Sequence, residues 1–255
     1  MSKVKLAVCF YGQVRYIEGF NLYYKNFKDN NPDLEIDFFI STWKDFDINK
    51  INLIFKEATF VLDNNLGQAP LTGNTRKMAF HLKKVLELKS QHELKTKIKY
   101  DAVLTIRPDV IFDTTKMIDS ILEFTSIEHK DPTVSLPEGI TIQDKTYRLH
   151  EDWMFLMNSA GADLHSKIFD FFYVDREYEK KNWNYREGGH WIHAHYFLHK
   201  NFNVVINNIS NMLIRPVRDL EILKQHYSST DLIHTLIKNL RKYKINPETF
   251  KKPII

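Results

Sequence analysis

The most informative stretch of the chain is Tyr100-Asp101-Ala102-Val103-Leu104-Thr105-Ile106-Arg107-Pro108-Asp109-Val110-Ile111-Phe112-Asp113. An apolar, β-branched run typical of a buried strand leads into an Arg-Pro-Asp corner, and a second acid follows four residues later. Pro108 fixes its own φ and favours an extended Arg107, so the corner is stiff. In an α/β sheet, ligands bind outside the carboxyl ends of the strands, where Arg107 and Asp109 would suit a free or metal-bound diphosphate. The alternative is a strand that ends in an ordinary solvated turn.

The composition indicates a globular chain without disulfide chemistry. Of its 255 residues, 43% are hydrophobic and 27% charged, which is enough to bury a core. The single cysteine, Cys9, excludes an intrachain disulfide and a multi-cysteine zinc site, and we expect it to be buried in the first strand. No stretch approaches the ~18 apolar residues that span a bilayer. Because the N-terminus also lacks a signal-peptide pattern, we expect a cytoplasmic protein.

The net charge of +4 is well mixed except near the end of the chain. The basic residues concentrated there are Lys238, Arg241, Lys242, Lys244, Lys251 and Lys252. They could make weak contact with an anionic membrane surface, although a solvated helix face is the simpler interpretation. A nucleic-acid binder would need a concentrated basic face with interleaved aromatic residues, so no nucleic-acid partner is expected.

The hydrophobic pattern alternates between strands and helices in the first half and is less regular afterwards. Strands are predicted over 4–11, 35–42, 59–62, 100–106, 147–157 and 203–209. Helices are predicted over 16–27, 48–58, 75–97, 114–124, 159–172, 188–200 and 231–243, and loops over 63–74 and 131–145. Such alternation predicts an α/β fold with a mostly parallel sheet, right-handed crossovers and flanking helices, ending in a helical tail.

A glycine and an arginine, Gly12 and Arg15, follow the first strand. The glycine would allow a ligand to approach the backbone, while Arg15 and the amides of the next helix would favour phosphate. The spacing is neither a dinucleotide fingerprint nor a Walker A loop. A turn glycine and a surface arginine are the alternative.

Three consecutive ionisable residues interrupt an apolar strand at His150-Glu151-Asp152-Trp153. Burying them unpaired would be costly, so the pattern favours a pocket in which Glu151 or Asp152 serves as a general base. Neighbours on an extended segment point to opposite faces, which would place His150 with Asp152. We therefore prefer Asp152 as the base. An exposed loop is the alternative.

A histidine-rich segment begins Glu187-Gly188-Gly189-His190 and continues through His193 and His195. On a helix, His190 and His193 share one face, and two histidines with a carboxylate could hold a divalent ion. Glu187 and His190, next to the glycine pair, are the functional candidates. We interpret His193 and His195 as ordinary residues of an amphipathic helix.

Taken together, these segments resemble a group of GT-A-like glycosyltransferases from bacterial surface-polysaccharide loci and viruses. The resemblance spans roughly residues 4–215 and depends on residues 10–15, 37–43, 100–109 and 151–152. It implies a GT-A-like, Rossmann-like fold and transfer of a sugar from a nucleotide-diphosphate sugar to a glycan, lipid-linked or other hydroxyl acceptor. Such enzymes commonly hold Mn²⁺ or Mg²⁺ at an Asp-x-Asp motif. Here Arg107-Pro108-Asp109 occupies that place, so arginine replaces the first acid.

The resemblance also implies roles for the candidate residues. The nucleotide-sugar would be bound by Gly12, Arg15, Thr42, Arg107, Asp109 and Glu187. Either Arg107 neutralises the diphosphate itself, or Asp109 holds a metal ion with help from Asp113 or His190. Asp152, or else Glu151, would act on the acceptor. One domain is implied, with a nucleotide-binding half (1–115), an acceptor half (116–220) and a helical tail (221–255). The alternatives are a non-catalytic nucleotide- or glycan-binding module, with Arg107 marking a lost metal site, and a sugar nucleotidyltransferase. The latter would usually carry a glycine-rich basic loop after the first strand.

Overall fold

A computed structural model describes most of the first 213 residues. The described ranges are 3–14, 20, 24–25, 27–43, 55–61, 74–112, 114–136, 140–143, 146–149, 152–177, 188–207 and 211–213. The predicted loop over 63–74, apart from its last residue, and the predicted helix over 231–243 therefore lie outside the described residues. The same holds for the basic C-terminal residues and the predicted tail.

The strands are short apart from the first three. They are β1 Val4–Tyr11, β2 Leu34–Trp43, β3 Phe55–Val61, β4 Ala102–Ile106, β5 Val110–Phe112, β6 Thr133–Leu136, β7 Thr141–Gln143, β8 Thr146–Arg148, β9 Met154–Met157, β10 Asn203–Ile206 and β11 Asn211–Leu213. The helices are α1 Asn74–Thr96, α2 Thr114–Thr125, α3 Ser159–His165 and α4 Gly189–His199, and a π-helical turn covers Asp170–Val174.

The main sheet has the strand order β10-β6-β9-β4-β1-β2-β3. β1 pairs in parallel with β2 and β4, β2 with β3, and β6 with β10. β9 alone among these strands runs antiparallel to its neighbours β4 and β6. Two-stranded antiparallel ladders join β5 to β11 and β7 to β8. The predicted fold class, a mostly parallel α/β sheet with flanking helices, is confirmed for the described residues.

The two faces of the sheet bury separate apolar clusters. Alternate residues of β1 divide between them, with Ala7, Cys9 and Tyr11 on the face covered by α1 and Leu6, Val8 and Phe10 on the other. This alternation follows from the two-residue period of a strand. Burial raises the pKa of the Cys9 thiol to about 12, so this side chain is an inert core residue, as predicted. No described helix has both the length and the apolar character needed to cross a membrane.

Two secondary-structure predictions were wrong. Residues 55–58, predicted as the end of a helix, belong to β3, and the predicted loop over 131–145 contains β6 and β7. In each place neighbouring strands supply the backbone partners: β2 for β3, β9 and β10 for β6, and β8 for β7. Such pairing overrides the local pattern. The predicted helix over 159–172 is divided between α3 and the π-helical turn, and its N-cap is Asn158, which accepts a hydrogen bond from Gly161 N.

The last turn of α1 reverses the expected pattern of burial. The apolar periodicity of the predicted helix, with Met78, Leu82 and Leu86 on one side, also predicts Leu94 on that side, but Leu94 is 79% exposed. Its neighbour Glu93 is buried instead, where it accepts hydrogen bonds from Lys89, Ser159 and Tyr100 N. At this point α1 extends beyond the apolar surface on which it packs. Its contact with α3 is made by buried polar side chains instead.

Candidate active site

Three strand ends meet at one edge of the sheet. β1 and β4 deliver their carboxyl ends there, whereas β9, being antiparallel, delivers its amino end. Ile106 is paired with Met154, and the next backbone bond runs from Arg107 N to Trp153 O over 3.0 Å. The residues that follow β4 and those that precede β9 therefore lie side by side, although some 45 residues separate them in sequence.

Arg107 and Asp109 form a two-point ion pair at this edge. Nε of Arg107 donates to Oδ1 of Asp109 over 2.9 Å, and Nη2 donates to Oδ2 over 2.7 Å. The side chains are 16% and 3% exposed. Burial acts to lower the pKa of Arg107, but the hydrogen bonds and charge of Asp109 outweigh it and the pKa is raised. The third nitrogen, Nη1, lies 3.9 Å from the sulfur of Met78, a weak acceptor.

Asp152 lies next to this pair and is 9% exposed. Its carboxylate packs on the first residue of α4, where a Cβ added to Gly189 would come within 1.6 Å of Oδ2. Among the described residues, the ion-pair partner of the carboxylate is His190, with Nε2 3.9 Å from Oδ1. The Asp152 carboxylate is thus nearly buried, and its ion-pair partner His190 lies beyond hydrogen-bond distance.

Tyr11 connects β1 to the backbone that carries Asp152. Its hydroxyl donates to the carbonyl oxygen of Asp152 over 3.1 Å. Burial, followed by the charge of Asp152, holds the pKa of the phenol well above its ordinary value, so Tyr11 stays a neutral donor. Sequence reasoning missed this residue, although a tyrosine at the last position of a buried strand is a recognisable signal.

Gly12 directly follows β1 with φ of +101°, a conformation that L side chains rarely adopt. Its amide donates to Ser41 O over 3.0 Å, and a Cβ there would meet nothing within 4 Å. The backbone therefore requires glycine irrespective of any ligand. Thr42, fully buried on β2, has no hydrogen-bond partner for its hydroxyl among the described residues. Both residues lie at the predicted edge, and their part in ligand binding stays a prediction.

A polar and aromatic cluster lies on the α1 face at the end of β2, and sequence reasoning did not find it. Ser41 Oγ and His81 Nδ1 form a buried hydrogen bond of 2.8 Å. The Trp43 ring meets His81 edge-on at 4.1 Å, and the Lys77 amine lies 5.3 Å from the Trp43 ring centre. The available signal was the alternation of Ser41 and Trp43 on one face of a strand.

The predicted site residues that the structure describes gather at this edge. They are Gly12, Thr42, Arg107, Asp109, Asp152 and His190, whereas Arg15, Glu151 and Glu187 lie outside the described residues, as does His150. The imidazole nearest Asp152 among the described residues is His190. His193 and His195 are buried, and His193 Nδ1 is 2.9 Å from His165 Nε2. These two histidines pack in the core, as ordinary helix residues do.

The predicted metal site does not fit the arrangement of the described side chains. Both oxygens of Asp109 are engaged by Arg107, and His190 lies against Asp152 instead. The described part of the chain contains no group of three or more histidine, cysteine or acidic residues placed to hold an ion. Mg²⁺ and Mn²⁺ prefer several oxygen ligands, whereas the Asp109 side chain is 3% exposed and its charge is already paired with that of Arg107.

Comparison with known proteins finds similarity in structure only. No family model matches the chain. No curated protein matches it either. Among solved structures it is similar to the glycosyltransferase GlyE of Streptococcus pneumoniae TIGR4, with 11% identity over 81% of this chain and 45% of that chain and a TM-score of 0.42. This chain therefore spans less than half the length of GlyE.

Two further structures are similar to a comparable degree. The galactosyltransferase LgtC, in complex with donor and acceptor sugar analogs, is 15% identical over 80% of this chain and 73% of that chain, with a TM-score of 0.42. The 4-diphosphocytidyl-2C-methyl-D-erythritol synthase of Anaerococcus prevotii DSM 20548 is 9% identical over 90% of this chain and 100% of that chain, with a TM-score of 0.43. Glycosyltransferases, the class that the sequence resembles, are thus among the similar structures. Function is argued from the site's own residues.

Proposed function

We propose that the chain transfers a glycosyl group from a nucleotide-diphosphate sugar to a hydroxyl acceptor, such as a glycan or a lipid-linked sugar. The observation that carries this proposal is the position of Asp152. The Asp152 side chain is 12% exposed, and its charge acts on the Arg107 guanidinium, which retains donors. The hydrogen bond from Arg107 N to Trp153 O fixes the two backbone segments next to each other. A proton acceptor and an anion-binding group are the two functions that this reaction needs next to each other.

The reaction assigns a separate task to each group. The acceptor oxygen forms a bond to the anomeric carbon, and the bond from that carbon to the diphosphate oxygen breaks, so the diphosphate leaves with the electron pair. Asp152 accepts the proton of the acceptor hydroxyl in an inverting reaction. Arg107 stabilises the charge that develops on the leaving diphosphate, and Asp109 holds the guanidinium in place.

Binding is tested first, with melting temperatures measured in millimolar UDP, GDP and CDP. A ligand that binds the native state raises the melting temperature by mass action. Release of nucleoside diphosphate from a panel of nucleotide-sugars, with and without sugar acceptors, then measures transfer. We expect Asp152→Ala to abolish transfer while leaving nucleotide affinity within a few-fold. The matched control is Asp119→Ala, which removes an exposed acid of α2 and should leave both unchanged.

The outcomes separate the competing functions. No melting shift with any nucleoside diphosphate would contradict the proposal. Nucleotide binding without release from any nucleotide-sugar would favour a non-catalytic binding module. Pyrophosphate release from a nucleoside triphosphate and a sugar phosphate would identify a nucleotidyltransferase instead. An Asp152→Ala variant with normal transfer would remove Asp152 from the chemistry.

A further inference from the structure

We propose that the cationic role at this site belongs to Arg107 itself, so that the site binds a diphosphate without a divalent metal ion. The diphosphate part of this inference rests on the proposed function. The part concerning metal rests only on the Arg107–Asp109 pair and can be tested without a nucleotide.

The first argument is that the pair is closed to an ion. Each Asp109 oxygen accepts a charge-assisted hydrogen bond, at 2.9 and 2.7 Å, and the side chain is 3% exposed. An ion would have to displace the guanidinium or bind the remaining lone pairs beside it, and either arrangement would leave a largely buried cation next to a divalent one. Like charges at such short distance repel strongly away from bulk water. Arg107 and a metal ion therefore exclude each other.

The second argument is that the negative charges of Asp109 and Asp152 already act on Arg107. Asp109 holds it by two hydrogen bonds, and the negative charge of Asp152 adds to the stabilisation of the guanidinium. The guanidinium thus supplies the positive charge that balances the acids of this edge, as a permanent part of the chain.

The third argument concerns what Arg107 can still bind. Nη1 faces the sulfur of Met78 at 3.9 Å, so its N–H groups have only a weak acceptor among the described residues. A planar guanidinium with outward N–H groups suits phosphate oxygens well. Arg76 and Lys77 precede Met78 in the first turns of α1 and add two cations near this edge. Arg76 lies over the Tyr173 ring and Lys77 over the Trp43 ring.

Direct metal binding is the first test. Mn²⁺ is titrated into the protein without nucleotide, and the signal of the free ion is followed by electron paramagnetic resonance. We expect no binding by the wild type up to millimolar Mn²⁺. Arg107→Asp creates an Asp-Pro-Asp sequence, and Arg107→Met frees Asp109 without adding a like charge. Circular dichroism identifies which of the two is folded, and each folded variant should bind Mn²⁺ at least tenfold more tightly than the wild type.

Arg76→Met is the matched control, because it removes a nearby cation without releasing Asp109, and it should not bind Mn²⁺. Nucleotide affinity provides the second readout. The dissociation constant of the preferred nucleoside diphosphate should change less than twofold between EDTA and Mn²⁺ for the wild type. For Arg107→Asp it should weaken at least tenfold in EDTA.

Wild-type Mn²⁺ binding that disappears in Asp109→Asn would overturn the inference. So would wild-type nucleotide binding that is lost in EDTA. If no nucleotide binds the wild type in either condition, the proposed function fails, while the Mn²⁺ titration still decides the question of the metal.

Discussion

The contact between Gly189 and Asp152 provides the sharpest test of how the site is built. In Gly189→Ala the new Cβ would come within 1.6 Å of Oδ2 and 2.7 Å of Cγ of Asp152. Real Cβ contacts do not fall below 3.0 Å, so the carboxylate must retreat by at least 1.4 Å (3.0 minus 1.6). Because Cγ is also too close, rotation of the carboxylate alone does not relieve the clash. A displacement of about 1 Å in a catalytic group costs roughly 100-fold in rate, so turnover should fall at least that far.

The cost in stability can be separated from any catalytic effect by a double-mutant cycle. Overpacking of this kind costs about 1–3 kcal/mol, and removal of the carboxylate should relieve it. We therefore expect Gly189→Ala to destabilise the wild type by this amount and the Asp152→Ala background hardly at all, as measured by urea denaturation of the four proteins. Gly188→Ala is the matched control, since its Cβ would meet the Trp191 ring at 2.8 Å and should show no coupling to Asp152.

The reasoning is refuted if the coupling between Gly189 and Asp152 is within about 0.5 kcal/mol of zero, the range expected for independent sites. It is equally refuted if Gly189→Ala keeps near-normal turnover. Absence of coupling would mean that the two residues do not touch in solution, whereas coupling with near-normal turnover would mean that Asp152 is not catalytic.

Two further predictions concern the core. Burial lowers the pKa of His193 to about 3 and that of His165 well below its ordinary value, so below pH 6.5 the unfolded chain takes up protons that the folded pair does not. Unfolding free energy should therefore fall as the pH is lowered from 7.5 to 5, by about 2 kcal/mol for His193 alone at pH 5, and His193→Phe should flatten that slope in urea denaturation. Lys89 is fully buried and bonded to two carboxylates, so Lys89→Ala should cost about 3–5 kcal/mol of unfolding free energy, because it leaves those charges unpaired. Lys84→Ala, which removes an exposed partner, should change it by less than about 0.5 kcal/mol, and equal effects of the two substitutions would contradict the assignment.

The fold was predictable where periodicity is long and pairing is simple. β1 occupies the predicted residues, and α1 differs by one residue at each end, because an eight-residue apolar run and a 23-residue amphipathic pattern leave little ambiguity. The strand β6 was missed and the first residues of β3 were predicted as helix, because such strands depend on the neighbour that pairs with them. The prediction that Leu94 is buried was wrong because the periodicity of a helix does not show where the apolar surface on which it packs ends.

The sequence allows a prediction of which residues lie at this edge of the sheet, but not of which ones are in contact with each other. Arg107 and Asp109 are two residues apart, and their proximity follows from the corner itself. The contact of Asp152 with Gly189 joins residues 37 positions apart and depends on the reversed direction of β9, which no local pattern encodes. The reversal also explains why an acid that precedes a strand, rather than one that follows it, reaches the edge.

The antiparallel direction of β9 affects where the chain can accept insertions. Residues 137–153 connect the antiparallel neighbours β6 and β9, and the bond from Arg107 N to Trp153 O anchors the end of that connection. The connection already contains the β7–β8 ladder, and the free energy of closing a flexible insertion grows only with the logarithm of its length, by about 0.6 kcal/mol for each doubling. Insertions between β6 and Asp152 can therefore reshape the surface above the site at little thermodynamic cost. The pairing of β4 with β9 holds the backbone of Arg107 next to that of Trp153 whatever the length of that connection, so the surface can vary while this edge of the sheet stays in place.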